Sequence, residues 1–169
     1  MNGPEARERV LRLRSLQAAL EDDWRSVQQN AWDAVEVARR DFPDDVKAAA
    51  CATYLLRFYS GLEQLLQRIA DELNGGAPTG ARWHRELLEQ MARPVPRVRP
   101  AVLPSRLKEK LDEYRRFRHR MTRAYGVPLA WSRMRHLVAQ LDEMIGELGQ
   151  ALAALHRFID DLCRALDED

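Results

Sequence analysis

The chain has 169 residues, of which 46% are hydrophobic and 31% charged, and its formal net charge is +1. That length and balance suit one folded domain spanning residues 1–169 and exclude a disordered chain. A charge so near zero also excludes whole-molecule attraction to nucleic acid, so any affinity for anions has to come from a local patch.

Apolar residues recur at helical spacing along nearly the whole chain and nowhere alternate in twos, which predicts an all-α fold. The opening "MNGPEARERVLRLR" is charged from Glu5 onward and predicts no signal peptide. A first helix is predicted from about Pro4 to Arg40, with Val10, Leu13, Leu20, Trp24, Val27 and Ala31 along one stripe. In "DFPDD", Pro43 suits a first helical turn, and Asp44 and Asp45 suit its positive end, so a second helix starts there. It buries Cys51, Leu55, Phe58, Leu62, Leu65, Leu66 and Ile69 and stops near Leu73, at the glycines of "NGGAP".

A short third helix, "ARWHRELLEQMA", gives way to "RPVPRVRPAVLP", whose prolines exclude helix interior and central strand and predict an extended connector. The fourth helix opens near Pro104 and Ser105 and ends at Gly126, with Pro128 beyond. The fifth is predicted as one rod of about 50 Å, at 1.5 Å per residue, from about Leu129 to Leu166. Four long helices and one short one, joined by brief connections, predict an up-and-down bundle with the third helix and the proline connector laid across one end or side. Cys51 and Cys163 sit in apolar helical patterns and read as core residues, which fits a reducing, cytoplasmic setting. No uncharged apolar run approaches the ~20 residues that span a bilayer, so no membrane association is predicted.

Only three of the 27 basic side chains are lysines, and the arginines are informative where they cluster without acids. In "YRRFRHRMTRAYG", Arg115, Arg116, Arg118, Arg120 and Arg123 fall within nine residues that contain no acid. Leu107, Leu111, Tyr114, Arg118, Met121 and Tyr125 are spaced by alternating fours and threes, which puts Arg118 in an apolar seam. Arg115 and Arg116 can reach Asp112 or Glu113, whereas Arg118, Arg120 and Arg123 have no carboxylate three or four residues away. A helix C-terminus favours one or two cations, by roughly 0.3 to 1 kcal/mol each, but not five mutually repelling ones. A cation in a seam needs a partner from another helix, a second subunit or an anionic ligand. Glu63, beside the buried face of the second helix, is the candidate interhelical partner.

His119 stands between Arg115 and Arg123 on one face, and the surrounding charge favours its neutral form, which a general base requires. A neutral imidazole among guanidinium groups could cleave RNA without metal: the base takes the 2′-hydroxyl proton while the arginines hold the phosphate. His84 in "RWHREL" reads as a histidine that hydrogen-bonds and packs near Trp83, and His136 and His156 are isolated. No spacing predicts a metal site, and no cofactor is predicted.

At these residues the chain resembles the HEPN superfamily, specifically the HepT-like ribonuclease toxins encoded beside a minimal nucleotidyltransferase antitoxin. Their hallmark is an Arg, four residues, a His, one residue and a Tyr at a helix end. Here the run is Arg118, His119, Arg120 to Thr122, then Arg123, Ala124 and Tyr125. "FYSGLEQLLQRIADELNGGAP", "WHRELLEQMA" and "VRPAVLP" ahead of "LDEYRRFRH" resemble the order of segments in one HepT-like subgroup, over roughly Leu55 to Gly126. The departure is Arg123, which occupies the place of the motif His. Either His119 serves instead, with Arg118 stabilising the scissile phosphate and Arg115, Arg116, Arg120 and Arg123 holding the backbone, or cleavage is lost and a binding subunit remains. The resemblance implies a homodimer whose two motifs face each other across a cleft that opens onto RNA. It also implies a nucleotidyltransferase antitoxin as partner and Tyr125 as the hydroxyl that receives AMP.

Overall fold

A computed structural model describes residues 3–123, 126 and 128–168. Among them lie six helices: α1 (Pro4–Arg39), α2 (Asp44–Leu73), α3 (Trp83–Met91), α4 (Ser105–Arg123), α5 (Trp131–Ala139) and α6 (Leu141–Glu168). The described residues contain no strand beyond one isolated bridge, so the all-α bundle stands. Breaker chemistry explains most boundaries. Pro4 occupies the start of α1, Asp44 and Asp45 the first turn of α2, and Gly75 and Gly76 adopt φ of +77° and +142° just past α2.

The helices α1 and α2 form an antiparallel hairpin, with Arg9 near the start of α1 bonding Glu72 at the end of α2 at 2.9 Å. Their close approach depends on Gly61, where an added Cβ would meet Val27 at 3.2 Å. On its other side α1 packs against α6, which runs antiparallel to it. Gln17 donates to the His156 carbonyl at 3.2 Å, and Arg39 pairs with Asp142. The apolar stripes of the helices merge into one continuous cluster that includes Leu13, Leu20, Leu55, Phe58, Leu62, Leu111, Leu148 and Ile159. Both cysteines lie inside it as free thiols.

Two expectations need correction. The last helix is not one rod: it breaks at Gln140 into α5 and α6, although neither glycine nor proline occurs there. The cause comes from another helix. Tyr114 of α4 donates its hydroxyl to the Leu137 carbonyl at 2.6 Å, the group that Leu141 N–H would use in an uninterrupted helix. Tyr114 is itself buried edge-on against Phe58, at a ring separation of 5.4 Å. Tyr114→Phe should therefore cost about 1 kcal/mol of stability, measurable as a lower urea midpoint with an unchanged slope.

The proline connector is also more than an extended link. Val95 and Arg99 pair across a tight turn, Val95 N–H donating to the Arg99 carbonyl at 2.9 Å, with Arg97 at φ +62°. Val102 and Leu103 then return to the core, both bonding the Met91 carbonyl. Arg99 is buried at the centre of this turn and fastens it to the ends of α2 and α3.

Candidate functional site: an arginine cluster at the end of α4

The side chain that reads as a seam residue, Arg118, is not in the seam. The buried face of α4 runs Leu107, Leu111, Tyr114 and Phe117, and the three-residue step to Phe117 takes the core position. Arg118 lies at the edge of that face, 26% exposed, and points at α2. Its Nε donates to Ser60 Oγ at 3.1 Å, and its Nη1 lies 3.7 Å from Glu63 Oε1. Glu63 is the interhelical acid beside this arginine, and its side chain is only 5% exposed.

The other oxygen of the same carboxylate holds a residue that sequence reasoning left aside. His84, in the first turn of α3, places Nδ1 2.6 Å from Glu63 Oε2, and its ring lies against Trp83 at a centroid distance of 3.6 Å. One buried carboxylate thus joins Arg118 of α4 to His84 of α3. The only sequence signals were local ones: a helix start at "WH", and an acid on the buried face of α2. Next to this group, Tyr59 is buried, and its hydroxyl has no hydrogen-bond partner among the described residues. Its ionisation is pushed far up, first by burial and then by Glu63.

The remaining arginines divide. Arg115 and Arg116 both bond Asp112, at 2.6 and 2.8 Å through their Nε atoms. Burial pushes the Asp112 carboxyl up, but these hydrogen bonds and charges outweigh it and hold the group below its ordinary value. Arg120 and Arg123 are exposed and form no ion pair among the described residues. With His119 and Arg133, they line a cleft of about 460 Å³ whose apolar wall includes Phe117, Met121, Leu129 and Met134.

His119 is exposed, and its pKa is held below the ordinary histidine value, first by Arg123, then by partial desolvation, Arg115, His84 and Arg118. Its neutral form therefore predominates at pH 7. Tyr125 lies outside the described residues. At about 100° per residue, Arg118 and Arg123 diverge by about 140° around α4: Arg118 faces Ser60 and Glu63, whereas Arg123 lines the cleft with Arg120 and Arg133. Arg118 and His119 are about 100° apart, and His84 stands on the Arg118 side.

Among the described residues no group of three or more His, Cys, Asp or Glu side chains is placed to hold a metal ion, and no helix is long and apolar enough to cross a membrane. No curated protein and no solved structure matches the chain. A sequence model of the HepT-like protein family matches residues 50–159, a span that opens in α2, includes Glu63, His84 and the whole of α4, and closes in α6. With well over half its length matched, and with the arginine-rich end of α4 inside the match, the chain belongs to the family of HepT-like proteins.

Proposed function

We propose that this protein is a toxin-type HEPN ribonuclease that cleaves RNA without metal at a cleft formed between two copies of the chain. In this reading Arg118 binds the scissile phosphate and His119 takes the 2′-hydroxyl proton. Arg115, Arg116, Arg120 and Arg123 attract the flanking backbone. The observation that carries it is a guanidinium held at a fixed place by Ser60 and Glu63, next to an imidazole that neighbouring cations keep neutral. The divergence of Arg118 and Arg123 around α4 favours a second copy, whose cluster would complete the phosphate site. A nucleotidyltransferase antitoxin would silence the protein by transferring AMP to Tyr125.

The test is incubation of the full chain with end-labelled single-stranded RNA in EDTA. Cleavage leaving a 2′,3′-cyclic phosphate is expected, and its absence at any protein concentration would refute the enzymatic reading. The pH profile should show a rate that rises through an apparent pKa below 6.5, since the neutral form of His119 is the active one. Arg123→Gln removes the largest cause of that depression, so the midpoint should move upward, while His119→Gln should abolish the limb. Coexpression with a nucleotidyltransferase encoded beside it should add one AMP mass to the peptide containing Tyr125.

One observation favours a second reading, a subunit that binds RNA or nucleotide and regulates its nucleotidyltransferase without turnover: Arg123 stands where the family motif carries its imidazole. Under that reading wild type binds RNA but leaves it intact, and Arg123→His alone switches cleavage on.

A further inference from the structure

Metal-free cleavage of RNA moves two protons, one away from the attacking 2′-hydroxyl and one onto the departing 5′-oxygen. A neutral His119 can accept the first. Arg123 cannot supply the second, because a guanidinium stays protonated throughout. The described part of α4 offers no other imidazole or carboxyl group near Arg118, since Asp112 is committed to Arg115 and Arg116.

The imidazole nearest the Arg118–Glu63 pair on another helix lies on α3. His84 has one ring nitrogen, Nδ1, 2.6 Å from Glu63, and its ring is steadied by Trp83. Nε2 is therefore the free end of a carboxylate-oriented imidazole, the arrangement by which a histidine is aimed at a reacting atom. Glu63 also holds Arg118 through its second oxygen, so a phosphate bound by Arg118 would meet an imidazole registered to it by the same carboxylate.

Resting on the RNA-cleaving reading, we infer that His84, positioned by Glu63, is the general acid that protonates the 5′-oxygen leaving group. The 2′-oxygen gives its proton to His119 and forms a bond to phosphorus. The bond from phosphorus to the 5′-oxygen breaks, and that oxygen takes the proton from Nε2 of His84. The products are a 2′,3′-cyclic phosphate and a 5′-hydroxyl, and both histidines exchange protons with water to reset. Glu63 is a positioning residue: it touches neither substrate nor reacting atoms.

A general acid is needed in proportion to how poor the leaving group is, which supplies the test. The full chain and its His84→Gln, Glu63→Gln and His119→Gln variants are assayed on a short RNA and on uridine 3′-(4-nitrophenyl phosphate), whose nitrophenolate departs without a proton. His84→Gln should slow RNA cleavage by about 10²–10³-fold but the nitrophenyl ester by less than about fivefold, whereas His119→Gln should slow both. Glu63→Gln, which loosens Arg118 as well as His84, should slow both substrates but RNA the more, and should add little further leaving-group discrimination to His84→Gln in the double variant. His84→Asn carries the same test if His84→Gln proves unstable. Equal slowing of both substrates by His84→Gln, or of neither, overturns the inference while wild-type cleavage leaves the ribonuclease reading intact. Wild type that cleaves neither substrate overturns that reading, and the role of His84 with it.

Discussion

Arg118→Ala should reduce RNA cleavage by about 10²–10³-fold, the loss found when one preorganised donor to developing negative charge is removed. Stability should change far less, by about 1 kcal/mol, because Glu63 keeps His84 as a partner and the Arg118 head is partly solvated. Arg118→Lys should recover only part of the rate: a single ammonium cannot donate to Ser60, face Glu63 and grip two phosphate oxygens in one plane. The measurement is a single-turnover rate beside a urea titration. A variant that cleaves like wild type but melts early would reduce Arg118 to a clamp between α4 and α2. Salt sharpens the distinction, since loss of a phosphate contact should flatten the dependence of RNA binding on ionic strength.

The misplacement of Arg118 shows where sequence periodicity loses resolution. After Tyr114, steps of three and four residues are equally compatible with a helical stripe, and they lead to Phe117 and Arg118 respectively. Local spacing cannot choose between them. Burial does, because Phe117 covers apolar surface at no electrostatic cost while Arg118 finds Ser60 and Glu63 at the boundary. Helix limits were legible to within a few residues wherever proline, glycine or aspartate marks them, as at Pro4, Asp44 and Gly75. The break at Gln140 was not, since it follows from a tyrosine hydroxyl that bonds the Leu137 carbonyl from 23 residues away in sequence. The cluster itself was legible as arginines without acids. Its organisation was hidden, because the contact of Glu63 with His84 joins two helices across 21 residues and leaves no local pattern.

Arg99 was invisible for a related reason, and it carries the largest stability prediction. Its Nε donates to Asn74 Oδ1 at 2.7 Å, Nη1 to the carbonyls of Arg93 and Pro100 at 3.0 and 2.8 Å, and Nη2 to the Gln90 carbonyl at 3.0 Å. The residue is 3% exposed, and burial lowers its pKa. Four neutral oxygens, turned inward by the connector and by the ends of α2 and α3, replace the water that would otherwise solvate the cation. Arg99→Met keeps most of the volume but strands those acceptors, so it should cost about 3 kcal/mol, read as a fall in the urea midpoint. The damage should spread to function by a definite route. Arg99 ties the C-terminal end of α3 to the connector, and His84 stands in the first turn of that same helix. A loosened α3 should weaken the contact of His84 with Glu63, so residual cleavage at low temperature should fall more on RNA than on a substrate with an activated leaving group. Arg99→Lys should restore little of either property, since one ammonium cannot reach acceptors set around a planar fork. Full stability in Arg99→Met would mean that the turn is held by Val102 and Leu103 alone.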